Sequence, residues 1–169
     1  LKALFAFYQR NFPESQLRPT ITGLWLDVCG DMKDYECINK VGADAIEEPK
    51  LGEVAKRAEL ERLAALEELN KREAAKYNDE FIKALDRYVR AWADAEPAKA
   101  PQWPDIARRL ASLRVKANEY GKALPLLEKV VDREPTSSNW YLLQRARFDA
   151  KEYVKVLSDS RASKIQGPP

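Results

Sequence analysis

Cys29 and Cys37 are the residues to weigh first for chemistry, and the sequence contains no histidine at all. A thiol or hydroxyl nucleophile needs an adjacent base, and the imidazole that most often supplies one is missing. Two thiolates cannot build a four-sulfur zinc site, and no imidazole can complete one. Two states remain for the pair. It can be a disulfide across a turn, which requires Cα atoms within about 7 Å and an oxidising compartment. It can equally be two buried, reduced thiols. Paired carboxylates such as Glu47-Glu48 and Glu67-Glu68 lie in charge-mixed segments and read as solvated helical faces. Asp31-Met32-Lys33-Asp34 lacks the length and glycine of a calcium loop, and no glycine-rich phosphate loop is present. The expectation is a non-enzymatic protein without cofactor or metal.

Cationic side chains offer a different chemistry. Arg108, Arg109, Arg114 and Lys116 cluster in one segment, with Arg145 and Arg147 in a later one. Such a stripe could contact phosphate, but Asp105, Glu119, Glu128 and Asp149 interleave with it. Lys and Arg total 29 against 27 Asp and Glu, so no large net field draws the chain to nucleic acid or an anionic bilayer. No apolar run approaches the roughly 18 residues of a membrane span. An acidic or amphipathic peptide suits these cations better than RNA does.

The elements that would position these residues all read as helices. Leu1, Leu4, Phe5 and Tyr8 give a first stripe, ended by Pro13; Pro19 fits the first turn of the next helix. Ile21, Leu24, Trp25 and Val28 follow, then a break at Gly30-Asp31, then Tyr35, Ile38, Val41 and Ile46. Pro49 is expected in the first turn of a longer helix with Val54, Leu60, Leu63, Leu66 and Leu69 as its stripe. Glu53/Arg57, Glu67/Lys71 and Glu68/Arg72 are expected i,i+4 ion pairs on it. Phe81, Leu85, Tyr88, Val89 and Trp92 form the cleanest stripe. Asp94 to Pro104 reads as a proline-rich, non-helical connection in which Trp103 plugs a neighbouring core. Helical patterns resume at 105–117, 121–131, 138–150 and from 152, with Pro125 tolerable near a helix start. No strand alternation interrupts them.

Internal repetition organises the helices. Asn118-Glu119-Tyr120-Gly121-Lys122-Ala123-Leu124, followed by Leu127, Val130 and Pro135, resembles the second half of a tetratricopeptide (TPR) repeat. With Ala123 as anchor, the pattern recurs around Val156 after Tyr153, with Pro168 closing it. It recurs around Ala84 with Tyr88, Ala91 and Pro97, around Ile38 after Tyr35, and around Leu1 with Phe5, Tyr8 and Pro13. The anchors stand 37, 46, 39 and 33 residues apart, against about 34 in a regular repeat. Trp140 matches the family's early-helix tryptophan, and Ala111 its later small residue, where the next repeat has Gln144.

The resemblance implies an all-α, right-handed superhelical solenoid of antiparallel helical hairpins with one extended long-helix hairpin. Its expected parts are TPR-like hairpins over 1–46, the first truncated; the long hairpin over 47–97; a proline-rich connection over 98–104; and two TPR-like repeats over 105–169. The implied function is a protein–protein interaction scaffold or adaptor holding a partner segment in its concave groove. Carried over from the family, the groove positions are Arg108, Ser112 and Lys116, and Tyr141, Arg145 and Phe148. Tyr141 and Phe148 could instead pack between repeats. The style of helix ending at Phe12-Pro13-Glu14-Ser15 resembles TPR proteins of bacterial envelopes. That favours periplasm or cell envelope over cytoplasm and gives an alternative reading, a structural subunit of an envelope or motility assembly. A helical-repeat RNA-binding module is the third reading. A start and end inside repeat patterns read as a segment of a longer array.

Overall fold

The computed structural model describes residues 2–162, and all regular structure there is helical. The expected anchor at Leu1 and the closing Pro168 lie outside the described residues. The chain divides into two compact units, 1–84 and 85–169, at a boundary within α5.

The first unit holds α1 (Lys2–Asn11), α2 (Arg18–Asp31), α3 (Tyr35–Ile46), α4 (Glu53–Arg72) and the greater part of α5 (Ala74–Ala91). Pro19 sits at the start of α2, where its missing N–H costs nothing. The helix runs through Gly30-Asp31 and breaks later than expected, at Lys33, whose φ of +51° ends it in the left-handed region. Asp34 then caps α3 by accepting from the Cys37 N–H at 3.0 Å. Trp25, Leu26, Cys29, Ile38, Val41 and Ala45 form the core, with Phe5 stacked on Trp25 at 5.4 Å. Ile46 is only half-buried.

Pro49 does not open α4. It lies in a separate 3-10 turn, Pro49–Leu51, and Gly52 with φ +51° separates the two. That backbone conformation favours glycine over any L side chain. Leu63, Leu66 and Leu69 of the expected stripe are buried, with Val54 and Leu60 half-buried. Of the expected ion pairs, Glu67/Lys71 forms at 3.5 Å. Glu53 goes instead to Lys56, Glu68 to Lys71, Arg57 to Asp27 and Glu61, and the Arg72 guanidinium lies 4.9 Å over the Tyr35 ring. Arg57 bridges Asp27 of α2 and Glu61 one turn further on, and Arg72 turns to Tyr35 of α3. Tyr77 and Glu80 tie the start of α5 to α3 and α4 through Glu36, Asn39 and Arg62.

The second unit holds the rest of α5, α6 (Trp103–Lys116), α7 (Tyr120–Arg133), α8 (Ser137–Asp149) and α9 (Tyr153–Ala162). The proline-rich connection contains a 3-10 turn, Pro97–Lys99, and α6 begins at Trp103 rather than after Pro104, because proline is accepted in a first turn. Trp103 is fully buried; its Nε1–H donates to the Val89 carbonyl at 2.9 Å, and the Arg133 guanidinium covers its ring at 4.1 Å. Ala111, Ala123, Leu124, Leu127, Val131, Leu143 and Ala146 form the core of α6–α8.

Among the described residues, three inter-helix turns share one geometry. Lys33, Asn118 and Lys151 each take positive φ, at 51°, 59° and 64°. The amide one residue on, from Asp34, Glu119 or Glu152, donates five residues back to Cys29, Arg114 or Arg147 at 2.8 to 2.9 Å. Each αL residue also donates three residues back, to Gly30, Val115 or Phe148, at 2.9 Å. This double closure satisfies carbonyls that a helix end leaves open. A tyrosine opens the next helix each time: Tyr35, Tyr120 and Tyr153.

Candidate functional site

α8 presents two opposed faces. Asn139, Leu143, Ala146 and Arg147 point inward and are buried. Tyr141, Arg145 and Phe148, at i, i+4 and i+7, share the opposite face. Tyr141 and Phe148 are 65% and 57% exposed, and the Arg145 side chain is 64% exposed. Packing between helices thus leaves more than half of each ring to solvent. Phe148 meets Tyr153 of α9 edge-on at 5.3 Å, which extends the aromatic surface onto the next helix. Asp149 accepts from Arg145 Nε at 3.2 Å; this hydrogen bond, then the charge of Asp149 and the Tyr141 hydroxyl, hold the Arg145 pKa above its ordinary value.

On α6, Ser112 and Lys116 are exposed, whereas Arg108 is a brace. Its Nη1 donates to Asn139 Oδ1 at 2.9 Å, and its Nη2 reaches Asp105. Asn139 is fully buried and donates from Nδ2 to the Glu134 carbonyl at 2.8 Å. Arg108 therefore links α6 to the first turn of α8, and sequence reasoning missed Asn139 because nothing local marks it. Two more of the expected cations are tied, Arg114 to Asp86 and Arg147 to Glu128 at 2.8 Å. Ion pairing thus engages Arg108, Arg114, Arg145 and Arg147 of the expected basic stripe.

Cys29 and Cys37 are joined, with Cα atoms 5.8 Å apart, across the turn formed by Lys33 and Asp34. The turn itself sets that spacing: Cys29 supplies the carbonyl that Asp34 bonds.

A concavity of about 670 Å³ lies in the first unit between α2, α3 and α4. Leu26, Ile38 and Ala65 floor it, and Asp27, Asp31, Glu61, Glu67 and Glu68 rim it. Arg57 crosses the rim between Asp27 and Glu61, whose hydrogen bonds raise its pKa. Among the described residues there is no cluster of metal-ligating side chains and no helix long and apolar enough to cross a membrane. Comparison with protein-family models, curated proteins and solved structures finds no match to this chain.

Proposed function

We propose that this protein is a non-enzymatic interaction scaffold, built as a TPR-like array of antiparallel helical hairpins in a right-handed superhelix. The observation that carries the reading is the outward face of α8. Two large aromatics flank an arginine there, and each of the three is more than half exposed. Tyr and Arg are among the side chains that most often dominate binding energy at protein interfaces. An apolar ring pair around one cation suits an amphipathic partner segment, seated by stacking and one charge-assisted hydrogen bond. The recurrence of one turn geometry at Lys33, Asn118 and Lys151 supports a hairpin repeat.

The test places a photo-cross-linker at Lys116 of the full chain and compares partner capture from source cells with and without Tyr141→Ser and Phe148→Ser together. Both side chains are exposed, so helicity by circular dichroism should not change. The expected result is loss of the parent's cross-linked partner. Undiminished capture by the doubly substituted chain would remove the α8 face as the site.

The alternative of a wall subunit in an envelope or motility assembly has its own observation. In the first unit Leu4, Phe7, Phe12, Leu17 and Leu24 are all at least half exposed. A stoichiometric complex that survives Tyr141→Ser with Phe148→Ser but is lost on Phe7→Ser with Phe12→Ser would favour it.

A further inference from the structure

We propose that a cationic groove of the second unit, formed by α5, α6 and α7, docks an acidic amphipathic helix. This site shares no residue with the α8 face. The groove has a volume of about 510 Å³, within the range of built ligand clefts. Ala93, Pro125 and Leu126 give it an apolar floor, beneath which Val89 and Trp103 are buried. Among the described residues, Arg90, Arg114, Lys122 and Lys129 line it against a single carboxylate, Asp86.

Asp86 is already shared: Arg90 binds one oxygen at 2.6 Å, and Arg114 binds the other. The two lysines pair with residues outside the lining, Lys122 with Glu119 at 2.9 Å and Lys129 with Asp94 at 3.9 Å. The Lys122 and Lys129 side chains are 61% and 54% exposed. Solvent-exposed pairs of this kind hold their partners weakly and exchange them for an incoming carboxylate. With Glu119 and Asp94 counted, four cations still face three carboxylates over an apolar floor, and the two lysine pairs are exposed, which suits an acidic amphipathic segment.

The spacing fits a helix. Lys122 and Lys129 are seven residues apart on α7, about 10.5 Å along its axis. A docked helix with carboxylates at i and i+7 repeats at that distance, and its i+3 and i+4 side chains then fall over Pro125 and Leu126.

The probe is a fluorescein-labelled helical peptide of about fifteen residues, with glutamates at i and i+7 and leucines at i+3 and i+4. Anisotropy on the full chain at about 50 mM salt should give saturable binding, weakening as salt screens the lysines. Lys122→Glu with Lys129→Glu should weaken it at least tenfold, Lys122→Arg with Lys129→Arg should retain it, and Tyr141→Ser with Phe148→Ser should leave it unchanged. No saturable binding, or binding indifferent to the charge reversal, overturns the proposal. So does tighter, lysine-dependent binding of a single-stranded uridine oligonucleotide, which would make the groove a nucleic-acid site.

Discussion

Gly42→Ala and Gly23→Ala are chemically the same substitution in two helices, and the structure gives them opposite signs. Alanine in a helix interior is favoured over glycine by about 0.8–1.0 kcal/mol. At Gly23 a new Cβ meets nothing within 4 Å, so that gain should appear nearly whole. At Gly42 the Cβ would stand 2.7 Å from Arg62 Cβ and 2.9 Å from the Ala58 carbonyl oxygen. Neither neighbour is the free end of a flexible chain. Arg62 is further fixed by donating to Asn39 Oδ1 at 2.9 Å and to Glu80 at 3.2 Å. Overpacking of this kind costs about 1–3 kcal/mol, and two rigid obstacles place Gly42 in the upper half of that range. Subtracting the propensity gain leaves Gly42→Ala about 1–2 kcal/mol less stable than the parent. Urea unfolding followed by far-UV circular dichroism measures both variants, read as midpoint shifts at constant slope. Equal stabilisation by the two alanines would refute the close approach of α3 to α4.

Three further outcomes follow from named contacts. Reducing the Cys29–Cys37 bond, which closes a loop of sequence separation 8, should cost about 2.5 kcal/mol in the chain-entropy treatment; an unchanged urea midpoint in reductant would mean that the pair is not bonded in solution. Trp103→Phe should cost about 2–3 kcal/mol, because it leaves a void and removes both the bond to Val89 and the surface that Arg133 covers; thermal unfolding checks it. Glu36 accepts from Tyr77 at 2.5 Å and from Lys76 at 3.1 Å, and these bonds hold its pKa below the ordinary carboxylate value. A depressed folded pKa gives stability that is present above the unfolded pKa and lost as pH falls through the folded one. Glu36→Gln should therefore be less stable than the parent at neutral pH, with the difference closing below about pH 4; a difference that persists in acid would assign the effect to packing.

Periodicity alone placed the buried residues of α5: Phe81, Leu85, Tyr88 and Val89 repeat at helical spacing and are buried. The outward positions Tyr141, Arg145 and Phe148 of α8 come from the family resemblance, and they lie opposite the buried Leu143 and Ala146. The ion pairs of α4 were not legible in the same way. Arg57 has Glu53 and Glu61 each one turn away and pairs with Glu61 and with Asp27 of another helix, a choice no local rule ranks. The α5–α7 groove was hidden for the same reason. Lys122 and Lys129 can be read off one helix, but Arg90 and Arg114 join them only once three helices have packed.

The connections between helices differ in how tightly their backbone groups are committed. The turns at Lys33, Asn118 and Lys151 have no slack, because the residue after each αL position both closes the preceding helix and begins the next one's hydrogen bonding. Adding or deleting a residue there would break both bonds of the closure. The segments between the other helices differ widely in length: residues 47–52 separate α3 from α4, residues 92–102 separate α5 from α6, and residues 134–136 separate α7 from α8. Between α4 and α5 a different turn is used: Glu73 alone, with φ −139° and ψ 65°, donates to the Leu69 carbonyl and accepts from the Tyr77 N–H. Length variation thus falls on the longer connections, while the three αL turns keep one geometry.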